Sequence, residues 1–207
     1  MVYISADNGT KIVKAARLSI ESMLSSGKEK EAQLGKALAD ELFDYKAGIF
    51  VSLLHYHTNS LRGCMGFINQ EELRFGVVES ARAAAFGDQR FIPISEKEWR
   101  DIFVEVNVIG EQIQMPNTKT GREKSIRIGR DGIILEYGIY RGVLLPSVAV
   151  ENRMDAAQFM EAVCEKAGLN KNYWKQKNVH MKKFETQIFK EESPNGKVIE
   201  VIHGKGP

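Results

Sequence analysis

The chain reads as an α+β fold with largely antiparallel strands, assembled from two copies of a strand-hairpin-plus-helix unit with helices packed outside. Three observations predict it. Apolar runs of strand length come in pairs joined by polar turns. Stretches with apolar residues at helical spacing accompany them. Finally, Gly48-Ile49 leading through a turn to Arg62-Gly63 is echoed by Gly132-Ile133 leading through a shorter turn to Arg141-Gly142, each copy followed by a helix.

In chain order, Ile12, Ala16, Ile20 and Met23 mark a helix with one buried stripe, with Asn8 as its cap and Gly27 as its stop. Residues 28–44 mix charges with Leu34, Leu38 and Leu42 and fit either a second helix or a surface connection. Gly48–His55 and Leu61–Ile68 form a hairpin around Thr58-Asn59-Ser60. From Glu71 to Phe86, Leu73, Val77, Ser80 and Ala84 recur at helical spacing, and Ala83-Ala84-Ala85 permits close packing on a sheet. Ser95 and Glu98 form a capping box that opens a short helical turn before Trp99. Ile102, Val104, Val106 and Val108 alternate with Phe103, Glu105 and Asn107, as in a half-buried strand. Ile126–Ile128 and Ile133–Leu135 read as a pair of strands around the 129–132 turn. Arg141–Leu145 is a further strand ended by Pro146, and Asp155 with Gln158 caps a helix running to Gly168. A last hairpin turns at Ser193–Gly196, between 182–189 and 197–202.

Composition narrows the function classes. The 207 residues are 43% hydrophobic and 27% charged, within the ordinary globular range, so one domain spanning residues 1–207 is expected. A net charge of +2 from 29 basic and 27 acidic side chains does not imply a nucleic-acid partner. The two cysteines, Cys64 and Cys164, belong to no CxxC pair or zinc-spaced cluster. Met1–Thr10 lacks a signal-peptide pattern, and no apolar run reaches bilayer length. A cytoplasmic protein with reduced thiols, no membrane partner, no metal and no cofactor is the expectation. His55 and His57 share a strand face but have no third ligand near them in sequence. The basic run Arg122–Arg130 reads as a solvated strand, and Trp99 and Trp174 read as packing anchors.

The most informative segment is Leu61-Arg62-Gly63-Cys64-Met65-Gly66-Phe67. Strand alternation places Leu61, Gly63, Met65 and Phe67 on a core face and Arg62, Cys64 and Gly66 on the other. Arg62 beside Cys64 would favour the thiolate and lower its pKa, making Cys64 the candidate nucleophile of a groove floored by this strand. Gly63 and Gly66 leave room for another backbone or a ligand. The alternative is a buried structural cysteine beside an arginine paired with a carboxylate.

The Leu61–Gly66 run resembles the Leu-Arg-Gly-Cys-Ile-Gly signature of the AMMECR family. Ala84–Phe91 is similar to that family's Ala-Phe-x-Asp-Pro-Arg-Phe stretch, Ile128–Gly132 to its glycine turn, and Leu144–Ala149 to its Leu-Leu-Pro-Gln-Val-Ala segment. The likeness runs over roughly residues 10–190 in matching order. Met65, Gln89 and Ser147 depart from it, standing where isoleucine, proline and glutamine are usual, and Ser147 puts in doubt any role needing an amide there. The resemblance implies a barrel-like sheet formed by two β-rich repeats, with a larger and a smaller lobe. It also implies work beside a Memo-like protein and a radical SAM protein, without naming a reaction.

Asp88, Arg90, Glu105 and Arg141, the last echoing Arg62, are the further candidate binding residues. Two functions compete. In one the chain is a binding or adaptor module whose groove on Leu61–Gly66 holds a peptide or partner surface. In the other it is an enzyme that uses a Cys64 thiolate on a small anionic substrate. The absence of a base that the sequence pairs with Cys64 favours the first.

Overall fold

The computed structural model describes residues 3–25 and 28–201. The contacts of the described residues divide them into two units, one running up to residue 109 and including 187–201, the other of residues 110–186.

The first unit opens with helix α1 (Ala6–Leu24), where Ser5, not Asn8, caps by accepting from the Asn8 amide at 3.3 Å. Its expected stop, Gly27, lies outside the described residues. Ile12, Ala16 and Ile20 are fully buried, but Met23 is 54% exposed, so the buried stripe ends one turn before the helix does. Helix α2 (Lys28–Ala37) and a 3-10 turn at Glu41–Asp44 occupy the stretch that sequence left open, and Leu34 is the one buried residue of α2. Strands β1 (Lys46–His55) and β2 (Leu61–Glu72) pair antiparallel, and helix α3 (Leu73–Phe86) follows. All four residues that marked α3's helical spacing are buried. A short helix α4 (Glu96–Trp99) starts at Ser95, which accepts from the Glu98 amide.

Strand β3 (Ile102–Ile109) pairs antiparallel with β1. It is buried on both faces rather than half-buried: Phe103 and Asn107 are each 4% exposed, and the Lys190 ammonium lies 5.8 Å from the Phe103 ring centre. An ion pair holds α1 to this layer. The Arg17 guanidinium donates twice to Glu191, at 2.6 Å each, and to the Ile102 carbonyl, while the Val104 amide also donates to Glu191. Such a buried pair is tolerable because its donors and acceptors are matched.

The second unit contains β4 (Ile113–Gln114), α5 (Lys119–Ser125), the hairpin β5 (Asp131–Tyr137) and β6 (Tyr140–Leu144), α6 (Pro146–Glu151) and α7 (Ala156–Lys166). Strand β7 (His180–Glu191) pairs antiparallel with β4 and β5 here, and its end pairs with β8 (Val198–Val201) in the first unit. Asp155 and Gln158 form the predicted capping box, and Gly168, at φ +78°, follows the helix.

Two expectations fail here. Ile126–Ile128 is no strand, because Asp131 draws the chain into a turn by accepting from the Arg127 amide (2.9 Å) and the Arg130 guanidinium (2.9 Å). Nor is Arg122–Arg130 a solvated strand. Arg122 is a buried residue of α5, and its guanidinium donates to the carbonyls of Pro116, Trp174, Gln176 and Val179.

The internal echo has a physical counterpart inside each unit. Leu53 faces Gly63 across β1 and β2, and Leu135 faces Gly142 across β5 and β6. A Cβ on Gly63 would fall 2.1 Å from the Ala84 carbonyl oxygen of α3, and one on Gly142 would fall 2.5 Å from that of Val163 on α7. Each hairpin therefore meets its own helix backbone-to-backbone, where only glycine fits.

Candidate functional site

Strand pairing in the first unit builds a row of polar side chains. Cys64 faces Ser52 across β2 and β1, and Ser52 faces Glu105 across β1 and β3. One step along, Gly66, Phe50 and Asn107 form the next row. The Ser52 hydroxyl donates to the Cys64 sulfur (3.3 Å), and the Asn107 amide donates to Glu105 (3.2 Å). Neither Ser52 nor Asn107 is among the candidate site residues that the sequence marks. Ser52 left a signal, as the polar interruption in the apolar run from Gly48 to Leu54.

A loop from the end of α3 closes on this row. Asp88, 6% exposed, accepts from the backbone amide of Cys64 (3.0 Å) and from its neighbour Arg90 three times: the backbone amide (3.2 Å), Nε (3.0 Å) and Nη2 (2.7 Å). The Arg90 guanidinium holds the Asp88 carboxyl well below the usual carboxylate range. Arg90's own side chain is 59% exposed.

Arg62 does not share this setting. Register slips between Leu53 and Leu54, which face Gly63 and Leu61, so Arg62 is the extra residue of a β-bulge. The bulge breaks strict alternation. Arg62 is 5% exposed and donates to Glu98 (2.5 and 3.1 Å) and to the Ile92 carbonyl (2.7 Å), and Glu98's carboxyl is lowered by that bond. The expected sharing of one opening by Arg62 and Cys64 is thus corrected: Arg62 braces the 88–94 loop, and Arg90 is the arginine that acts on the sulfur. The expected lowering of the thiol is corrected too. Burial pushes the Cys64 thiol up, opposed by the Ser52 hydrogen bond and the Arg90 charge and reinforced by the Asp88 and Glu105 charges.

The face assigned to the core is only partly covered. Met65 and Phe67 lie opposite the buried Val51 and Ile49, yet each is 38% exposed, and Leu61 is 40% exposed. Strand β2 ends the strand order, so it lacks a second neighbour, and α3 closes on it at Gly63. Gly63 accordingly admits another backbone. So does Gly66, where an added Cβ would fall 2.3 Å from the Ile49 carbonyl oxygen of β1 and 2.5 Å from the Phe50 ring. Arg141 belongs to the second unit, where it pairs with Glu136 across its own hairpin (3.3 Å). Cys64, Asp88, Arg90 and Glu105 are therefore the predicted residues that come together. His57 pairs with Asp101 (3.3 Å). Among the described residues no group of three or more His, Cys, Asp or Glu is placed to hold a metal ion, and no helix is long and apolar enough to cross a membrane.

Comparison with known proteins agrees with this architecture. A family model described as AMMECR1 matches residues 13–189. The chain is 39% identical over 198 residues to protein Ta0236 of Thermoplasma acidophilum, covering 95% of this chain and 94% of that one. It is 39% identical over 207 residues to protein MJ0810 of Methanocaldococcus jannaschii, covering 97% and 98%. The crystal structure of uncharacterized protein PH0010 from Pyrococcus horikoshii superposes with a TM-score of 0.84 at 32% identity, covering 96% of this chain and 98% of that one.

Proposed function

The chain belongs to the AMMECR1 family, and on that footing we propose that it is a binding or adaptor component whose recognition surface is the Cys64–Ser52–Glu105 row and the Asp88–Arg90 loop. A peptide or small anionic group is the ligand chemistry that Arg90 suits, and Memo-like and radical SAM proteins are the proposed partners.

One internal comparison carries the reading. Aligned on the glycines that meet their helices, Ser52 and Cys64 of the first unit correspond to Ile134 and Val143 of the second. The same scaffold is thus built with an apolar pair in one copy and a hydroxyl–thiol pair in the other. Polar groups placed where the fold does not require them are expected at functional positions. The thiol's chemistry supports recognition over attack, since burial keeps it protonated and nucleophilic catalysis needs the thiolate. The rival reading, a Cys64 thiolate acting on a small anion, has Arg90's charge in its favour and burial against it.

The test installs the second unit's pair in the first, as Ser52→Ile with Cys64→Val. The double variant should keep its melting temperature yet lose at least about ten-fold in affinity for the Memo-like or radical SAM protein in biolayer interferometry. Unchanged affinity in a folded variant would overturn the assignment of this row.

A further inference from the structure

A cavity of about 220 Å³ in the first unit is lined by Glu21 and Leu24 of α1, Lys30 of α2, and Glu96, Trp99 and Arg100 at α4. It shares no residue with the Cys64 row. Its volume suits one side chain or a small molecule rather than a large ligand.

The Glu21 carboxylate is the organised group in it. The Trp99 indole N–H donates to Glu21 (3.4 Å), and the Arg17 guanidinium approaches it at 3.8 Å. Arg17 is fixed in turn by Glu191 and lies 4.4 Å over the Trp99 ring. Glu21 is thereby oriented by buried partners, and Trp99 and Leu24 supply apolar wall. Its remaining contact is an ammonium, Lys30 Nζ, at 2.7 Å.

Lys30 is a weakly held occupant. Its side chain is 40% exposed, and it rides on a helix with one buried residue. Only the Lys30 end of the pair is exposed, and fixing that long side chain in one geometry offsets much of the attraction. A preset carboxylate beside an aromatic and an aliphatic wall is the environment that selects an ammonium carried on an alkyl chain, whose methylenes the apolar wall covers.

We propose that this cavity is a binding site for a primary alkylammonium group, which displaces Lys30 from Glu21. A free amine and the lysine side chain of a partner share that chemistry.

The experiment titrates the full chain and its Lys30→Ala variant with n-butylamine, with acetyl-Gly-Lys-Gly-amide and with the Nε-acetylated form of that peptide, reading tryptophan fluorescence. Trp99 reports, while Trp174 is fully buried in the second unit. Removing the resident ammonium should tighten binding by about ten-fold. Adding Glu21→Gln should abolish the response in a variant whose circular dichroism is unchanged, and the acetylated peptide should give none. Tighter binding of the peptide assigns the site to a partner's lysine, and tighter binding of n-butylamine assigns it to a small amine. Equal responses with and without Glu21→Gln, an equal response to the acetylated peptide, or no saturation in Lys30→Ala would overturn the proposal.

Discussion

Replacing Gly63 by alanine tests the physical link between the signature strand and the rest of the site. The added Cβ would lie 2.1 Å from the Ala84 carbonyl oxygen and 3.1 Å from its carbon. An ordinary contact needs about 3.5 Å, so α3 and β2 must separate by roughly 1 Å or more. Both atoms belong to backbone, so no side-chain rotation relieves the clash. Overpacking of this kind costs about 1–3 kcal/mol, against a gain of about 0.4–1 kcal/mol from restricting the unfolded chain. With the overlap this severe, the net loss should approach about 2 kcal/mol, a fall in Tm of about 4–8 °C for a chain of this length. Differential scanning calorimetry measures it. Gly35→Ala is the control: an added Cβ there meets nothing within 4 Å on helix α2, so that variant should match or slightly exceed the wild type. Because Asp88 follows α3 directly, Gly63→Ala should also pull it from the Cys64 amide and loosen the loop. A Gly63→Ala protein as stable as the wild type would refute the backbone contact and, with it, the structural meaning of the echo.

Two pH-dependent results follow from the charges around Cys64. Bimane labelling of Cys64 should reach half-rate above the pH of about 8.5 typical of a free thiol, and Arg90→Gln should move it higher still by removing the charge that opposes burial; half-labelling below that pH would restore the thiolate mechanism. The Asp88 carboxyl is depressed by Arg90 in the folded state, so its contribution is complete above the ordinary carboxylate pKa of about 3.9 and is lost as pH falls toward the folded value. Urea unfolding should therefore show Asp88→Asn less stable than the wild type at about pH 6, with the gap narrowing toward about pH 2.5; a gap that does not change with pH would contradict the ion pair.

Interactions that close within a few residues are legible in the sequence. The α3 stripe of Leu73, Val77, Ser80 and Ala84 follows from the 3.6-residue period alone. The Asp155–Gln158 box and the Ser95 cap are contacts across one turn of helix. The alternation of β3 identified its core face, Ile102 to Val108, as it lies in the sheet. Membership in the family was likewise legible, because its motifs recur as short runs in fixed order.

What sequence alone determined, then, is the kind of structure most segments adopt, residues 122–130 excepted, and the pairing of hairpins into two repeats. Tertiary structure decided where the reactive groups point. The bulge that turns Arg62 toward Glu98, the edge position that leaves Met65 and Phe67 half-covered, and the meeting of Ser52 with Cys64 and Glu105 all depend on register between strands far apart in the chain. A one-residue slip in that register redirects a side chain to the other face, and no local periodicity encodes it.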